Sequence, residues 1–312
     1  MRFEPTPRPS FTPRRRDSSP PTVLVTGSTD GLGRALAEKL ATRGWRVLVH
    51  GRDPSRVEHS VTKIRRHALS KRDAPASGSA PLPSAGSSAP QVFGYVADFA
   101  SLRAARNLAE RVRAEHLRLD VLVNNAGVYE PRRSRSTDGI ELTLAVNHLA
   151  HFALTMALLD LLKRSAPARI VNVASGLQHP PCFEDPNFEQ RPYSGERAYG
   201  ASKFAQVAFT IDLAARLAGS GVTVNALHPA TLMPTKLALN TGLAPQSTIE
   251  EGVAATLRLV LDPSLADVSG AYFEGEERAD PHPLTLDEKV RERIWELSER
   301  LTRDCKRATR LR

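Results

Sequence analysis

Residues 22–40 read Thr22-Val23-Leu24-Val25-Thr26-Gly27-Ser28-Thr29-Asp30-Gly31-Leu32-Gly33-Arg34-Ala35-Leu36-Ala37-Glu38-Lys39-Leu40. Thr22–Val25 is a short buried-type strand, the stretch to Gly33 a glycine-rich turn, and Arg34–Leu40 a helix former. Between a strand and a helix such glycines have uses. Gly27 permits a tight turn, Gly31 lets a backbone approach a pyrophosphate, and Gly33 lets the helix pack closely on the strand. Phosphates would then meet the positive end of the helix dipole. A glycine turn without a ligand is the plainer alternative, and the two flanks favour a dinucleotide site. The spacing is Gly-x-x-x-Gly-x-Gly, not the commoner Gly-x-Gly-x-x-Gly.

The next strand, Trp45–His50, ends in Gly51-Arg52-Asp53. An acid at its end would hydrogen-bond a ribose 2′-hydroxyl and repel a 2′-phosphate. Here a glycine is followed by a guanidinium that can grip a phosphate with two hydrogen bonds. NADP is therefore expected over NAD. Asp53 also suits the N-cap of the helix that starts at Pro54. A third strand, Gln91–Val96, has Asp98 just beyond its end, and a fourth, Leu119–Val123, runs into Asn124-Asn125-Ala126-Gly127. Asn124 and Asn125 either cap the strand or offer amide hydrogen bonds beside a cofactor. A long helix after Thr137-Asp138-Gly139 carries Asn147 well inside it, where asparagine costs helix propensity. The fifth strand, Ala168–Ala174, delivers Ser175, and a sixth, Val222–Leu227, delivers His228-Pro229-Ala230-Thr231 and the turn to Thr235. In open α/β sheets ligands lie outside the carboxyl ends of the strands, so all of these meet at one rim.

The same rim receives Tyr199-Gly200-Ala201-Ser202-Lys203, at the start of a helical-period segment from about 198 to 220. Residues four apart share a helix face, so the phenol and the ammonium point into one space. A nearby ammonium favours phenolate and is expected to lower the phenol pKa, which suits general acid–base work. Tyr193 is a competitor, but it lacks a lysine four residues on.

The 312 residues are 41% hydrophobic, enough for one large α/β core. Only two cysteines occur, Cys182 and Cys305, far apart and without metal-ligand spacing. A reducing, cytoplasmic setting is expected, with no disulfide framework and no metal site. The longest apolar stretch, Leu149–Leu162, is interrupted by His151, Thr155 and Asp160, so no membrane-spanning helix is expected. Proline and arginine stand where a secretory signal would be apolar. Residues 1–20 read as a disordered basic tail, and their prolines argue against a transit-peptide helix. Residues 21–303 form the expected domain, with a low-complexity insertion near 70–90 and a frayed tail at 304–312. Residues 1–20, 54–90 and 301–312 carry +3, +4 and +4 against a whole-chain net charge of +9, so the rest is slightly acidic. Charge held in tails and an insertion does not indicate a nucleic-acid groove.

Taken in order, Thr26-Gly-x-x-x-Gly-x-Gly33, Asn124-Asn-Ala-Gly127, Asn147, Ser175, Tyr199-x-x-x-Lys203 and His228-Pro229 resemble the short-chain dehydrogenase/reductase family. Thr137–Phe152 and Gly270–Phe273 further resemble its retinol dehydrogenase-like branch. The resemblance spans roughly residues 22–275. It implies a single Rossmann-type, doubly wound parallel sheet in strand order 3-2-1-4-5-6-7, with helices on both faces. It implies Tyr199 as acid/base, Lys203 as its pKa modulator and ribose ligand, Ser175 as the hydrogen-bond partner of the substrate oxygen, and Asn147 as the anchor of a relay water. The implied cofactor surface takes in Gly27, Ser28, Thr29, Asp30, Gly31, Leu32, Gly33, Arg52, Asp98, Phe99, Asn125, Ala126 and Gly127. Tyr199, Lys203, Pro229, Thr231 and Thr235 complete it. Ala174 stands where a second serine is common, and Ala230 where glycine is usual.

The implied activity is interconversion of an alcohol and a carbonyl with NADP. A non-catalytic dinucleotide sensor or scaffold is the alternative, and it has no need of Ser175, Tyr199 and Lys203 together. Leu177, Pro180, Phe183, Phe188, Leu232, Met233 and Leu237, in segments 176–197 and 231–248, would line an apolar small-molecule pocket. A homodimer through helices 137–163 and 198–220 is what the family suggests.

Overall fold

The computed structural model describes residues 19–72 and 89–308, so nearly all of the basic tail, most of the insertion and residues 309–312 lie outside the described residues. The chain alternates strands and helices. β1 (Thr22–Val25), α1 (Gly31–Thr42), β2 (Arg46–Gly51), α2 (Pro54–Arg72), β3 (Val92–Val96), α3 (Leu102–Glu115) and β4 (Val121–Asn124) form the first half. The second half begins with α4 (Leu142–Leu144), a π-helical turn (Ala145–Leu149) and α5 (Ala150–Arg164), which together make one continuous helix. β5 (Ala168–Val173), α6 (Gly195–Arg216), β6 (Val222–His228), α7 (Lys236–Leu239), α8 (Ile249–Leu261), β7 (Tyr272–Glu274), β8 (Glu277–Ala279) and α9 (Glu288–Ala308) follow.

The strands lie in one sheet in the order β3-β2-β1-β4-β5-β6-β7-β8. This is the expected order extended by one strand, β8, which pairs antiparallel with β7 across a two-residue turn. All the other pairings are parallel, as crossover helices require. Successive side chains on a strand face opposite ways, and both faces are covered, so the central strands are apolar throughout. Val23, Val25, Val47, Val49, Val121 and Val123 pack under α1, α2 and α8. Leu24, Leu48, Leu122 and Ile170 face α3 and α5 on the other side. The strand order reverses between β1 and β4, which opens the crevice that holds the site.

Three elements differ from expectation. α2 continues to Arg72, into the expected insertion, and α9 to Ala308, into the tail expected to fray from 304. The stretch Leu142–Arg164 is long and apolar enough to cross a membrane, but 78% of its most apolar window is buried inside the protein. Part of the helix surface expected to form a homodimer is covered from within the chain. Trp295 of α9 packs edge-on against Phe152 at 5.2 Å and lies 5.8 Å from Phe209, with the Arg216 guanidinium 3.8 Å over its other face.

Candidate active site

The glycine turn is built by contacts that tolerate no side chain. Gly27 has φ +64, and a Cβ there would lie 2.8 Å from the Ala126 Cα. At Gly33 a Cβ would lie 2.6 Å from the Gly27 carbonyl oxygen and 2.5 Å from Asn125 Nδ2. The third glycine therefore lets α1 start directly against its own turn. Asp30 caps α1, accepting from the Gly31 N–H at 2.9 Å, and its other oxygen pairs with Arg56 at 2.9 Å and Lys236 at 3.4 Å. Burial acts to raise its pKa, but the Gly31 N–H and the two cations hold the carboxyl below the usual range. No acidic residue occupies the first turn of α1, and the carboxylate at its positive end is that of the Asp30 cap.

Three side chains weld this turn to the sheet. Thr26 Oγ1 accepts from the Asn125 and Ala126 N–H groups at 2.8 and 2.9 Å. Asn125 returns its amide to the Thr26 carbonyl at 2.8 Å. His50, unanticipated from sequence, accepts from the Gly27 N–H through Nδ1 at 3.1 Å and donates from Nε2 to the Ala97 carbonyl at 3.0 Å. It stacks on Phe99 at 4.3 Å, and burial pushes its pKa down to about 4, so the ring is neutral. Ser28 faces inward too, its hydroxyl donating to the Val25 carbonyl and accepting from the His50 N–H.

At the end of β2 the absence of an acid has a steric cause. A Cβ on Gly51 would lie 2.5 Å from Thr29 Cγ2. Beside it, Thr29, Asp30, Arg34, Ser55, Arg56 and His59 line an open cleft. Arg52 is exposed and does not line this cleft, whereas Arg34 and Arg56, which the sequence reading passed over, do. Arg56, in the first turn of α2 and four residues after Arg52, was the available signal. Asp98 is exposed at the end of β3, and its carboxylate accepts from the Ala100 N–H at 3.0 Å.

Across the crevice, α6 presents Tyr199 and Lys203 on one face. The Lys203 Nζ lies 5.5 Å from the centroid of the Tyr199 ring, and the Ser175 hydroxyl interacts with the Tyr199 phenol. Ser175 Oγ accepts from the Leu177 N–H at 3.1 Å, which leaves its own proton to donate. The Ser175 carbonyl is pinned by Gln178 Nε2 at 3.0 Å and by the Tyr272 hydroxyl at 3.1 Å. Burial pushes the Tyr199 phenol up to about 12, with the Ser175 interaction opposing, and pushes the Lys203 ammonium down to about 7. The simple expectation of a lysine that lowers the phenol pKa is thus not met by the polypeptide alone: loss of hydration is the largest cause at both groups, opposed at Tyr199 by the Ser175 interaction.

Asn147 sits in the π-helical turn. Its side chain accepts from the Val128 N–H at 2.8 Å and donates to the Val128 carbonyl and to Ser202 Oγ, each at 3.0 Å. Its own carbonyl accepts from His151 Nδ1 at 2.8 Å, and the other nitrogen of that ring meets the Thr26 hydroxyl at 2.9 Å. A buried histidine therefore links the glycine turn to Asn147. Asn124 lies deeper, donating to Thr155 and Asn172 between β4, β5 and α5.

On the third side of the crevice, Pro229 is buried, Thr231 shares a 3.0 Å hydrogen bond with His228, and Thr235 caps α7. Ala230 lies outside the positive-φ positions, so its side chain brings no backbone strain; Leu232, two residues on, has φ 47. Of the apolar residues assigned to the pocket, Leu237 reaches Gly127. Met233 packs against Gly252 and Leu32, Phe183 packs with Phe204 and Ala208, and Phe188 is buried beneath Arg191. Tyr193 is turned away, donating to the Glu130 carbonyl and Glu141. Tyr129, whose ring lies 5.8 Å from that of Tyr199, joins the site instead. Among the described residues no cluster of potential metal ligands occurs.

The model of the short chain dehydrogenase family matches residues 21–243. The chain belongs to this family. As a short-chain dehydrogenase it is an NAD(P)-dependent oxidoreductase acting on CH–OH groups. Human retinol dehydrogenase 13 is 37% identical over 298 residues, covering 90% of this chain and 84% of the relative. Mouse retinol dehydrogenase 14 is 38% identical over 292 residues, covering 89% and 84%. Among solved structures, an uncharacterized protein from Mycobacterium paratuberculosis superimposes with a TM-score of 0.68 at 28% identity, covering 92% of this chain and 96% of that one. A short chain dehydrogenase from Burkholderia cenocepacia, solved in complex with NADP, gives a TM-score of 0.60 at 27% identity, covering 81% and 95%.

Proposed function

We propose that this short-chain dehydrogenase uses NADP to interconvert an apolar alcohol and its carbonyl, with Tyr199 as the acid/base. The observation that carries the reading is the meeting of the Tyr199 phenol, the Ser175 hydroxyl and the Lys203 ammonium at the carboxyl ends of β4, β5 and β6. The chain's own geometry fits a dinucleotide. Its glycine turn admits a close backbone approach, Gly51 leaves no room for an acid, and Arg34 and Arg56 in the cleft, with Arg52 next in sequence to Gly51, would supply positive charge for a 2′-phosphate. When bound, the cofactor supplies or accepts the hydride.

In the reductive direction Ser175 donates a hydrogen bond to the substrate carbonyl oxygen and Tyr199 delivers the proton to it. A phenol held near 12 carries that proton throughout the physiological range, which suits reduction. Lys203 keeps one N–H for the cofactor ribose, because two protein acceptors take the others. Leu237 beside Gly127 and Tyr129 beside Tyr199 favour an apolar substrate. The relatives named retinol dehydrogenases make retinal and retinol the first pair to assay. NADPH absorbance over a panel of carbonyls tests the reading. Tyr199→Phe should lower turnover at least about a hundredfold while leaving NADPH affinity near normal. Near-normal turnover by that variant would remove Tyr199 from the mechanism.

A further inference from the structure

Lys203 is a charged side chain in an apolar place. It is 3% exposed, and among the described residues no carboxylate pairs with it. Its Nζ donates to the Val173 carbonyl at 2.9 Å and to Gln206 Oε1 at 2.8 Å. The titratable groups that face it are Tyr199 on the same helix, His151 from α5 and His228 at the end of β6, with Glu274 of β7 beyond His228. Burial disfavours the charged form of both imidazoles, so neither adds a second positive charge beside the ammonium, and neither can supply a negative one. The ammonium is therefore solvated by two neutral oxygens, and only one of them belongs to a side chain.

That side chain is unusual in its own right. Gln206 is 2% exposed, and its Nε2 is buried with no hydrogen-bond partner among the described residues. A residue kept at this point for packing alone would be apolar, because a buried amide with an unmade hydrogen bond is destabilising. Three residues along the helix from Lys203, it lies on the same face and reaches the ammonium from below the catalytic turn. We propose that Gln206 is a positioning residue: its amide oxygen, with the Val173 carbonyl, fixes the Lys203 ammonium against Tyr199 and leaves one N–H for the cofactor. The inference rests on the assignment of Lys203 and Tyr199 to the reaction.

The sign of the effect follows from electrostatics. Gln206→Leu removes one of two acceptors and disfavours the ammonium, whereas Gln206→Glu replaces it with a charged acceptor and favours it. Carbonyl reduction needs both Lys203 and Tyr199 protonated, so activity fails as pH rises through the lower of their apparent values. The alkaline limb of kcat/KM should move to lower pH in Gln206→Leu and to higher pH in Gln206→Glu, by about one unit or more each. At neutral pH Gln206→Leu should lose on the order of tenfold in kcat, as expected for a lost hydrogen bond to a charged group. A residue with a merely structural role would change melting temperature without moving the limb in opposite directions in the two variants.

A second readout needs no turnover. In protein labelled with 13C-lysine, the Cε resonance missing from a Lys203→Met variant belongs to Lys203 and can be titrated directly. It should titrate at lower pH in Gln206→Leu and at higher pH in Gln206→Glu. If Gln206→Leu does not fold, the Gln206→Glu shift decides alone. An unmoved Lys203 titration in folded variants, with Tyr199→Phe inactive, overturns the role of Gln206 and leaves the proposed reaction standing. An active Tyr199→Phe with a shifted Lys203 titration does the reverse.

Discussion

Replacing Gly33 by alanine tests how the cofactor turn is built. An added Cβ would stand 2.6 Å from the Gly27 carbonyl oxygen, about 0.8 Å inside the 3.4 Å at which ordinary contact begins. Its other neighbour, Asn125 Nδ2 at 2.5 Å, is the donor that clamps the Thr26 and Gly27 carbonyls. Neither can retreat freely, because one is backbone and the other is a half-buried amide hydrogen-bonded at the β1–β4 junction. Overpacking of this kind costs about 1–3 kcal/mol, and losing the Asn125 clamp adds about 1 kcal/mol. If half or more of that strain is expressed in the turn, NADPH affinity falls by roughly tenfold to a hundredfold. Titration calorimetry with NADPH, alongside urea unfolding, measures the two shares. The matched control is Gly139→Ala, a positive-φ glycine with no neighbour within 4 Å of its Cβ. It should lose about 1 kcal/mol of stability and no NADPH affinity. A Gly33→Ala protein with NADPH affinity within twofold of the parent and an unchanged urea midpoint would refute the reasoning.

Arg52→Ala and Arg56→Ala should each narrow the preference for NADPH over NADH by about tenfold, read as the ratio of dissociation constants, with little change for NADH. Burial depresses the pKa values of His50 to about 4 and of His148 and His151 to about 3. The unfolded chain takes up protons near 6.5 while the folded one does not, so stability is intact above that value and falls as pH drops from 6.5 towards 4. Each ring contributes about 1.4 kcal/mol per pH unit in that window, and a urea midpoint that is flat from pH 7 to pH 5 would contradict this. Trp295→Ala should destabilise by about 3–5 kcal/mol, since the ring is 8% exposed between aromatic neighbours. With α9 in place the parent should sediment as a monomer, and a stable dimer would show that the remaining helix surface suffices for assembly.

The sheet and its glycine turn were legible because their signals are local. Val23, Leu24 and Val25 are followed at once by glycines whose conformations only glycine holds easily, and the period then switches to that of a helix. The pairing of Tyr199 with Lys203 was legible for the same reason. β8 was not, although Gly275 with φ 57 opens a two-residue hairpin, because Glu277-Arg278-Ala279 has no apolar alternation to mark a strand. The electrostatic state of the site was also hidden. Spacing shows that two side chains share a face but not how deeply they are buried, and burial reversed the expected direction for Tyr199. His50, His151 and Gln206 were missed because each acts on a residue brought close by folding or by a helix register that carries no motif. Phe188 is buried and Phe183 half-buried, and each ring is covered by an arginine, Arg191 and Arg293, contacts that composition does not foretell.

The packing of α9 over Phe152 and Phe209 also orders events during synthesis. The ribosome finishes α6 at Arg216 long before it reaches Ala308. At about 5–20 residues per second the interval lasts on the order of five to twenty seconds. Through that time the sheet can assemble, yet the aromatic face that α9 will cover stands bare on the nascent chain. Transiently exposed apolar surface of this kind is prone to aggregate and is what chaperones shield. α9 is thus the helix that ends this exposure, and slow codons placed before residue 288 would lengthen it.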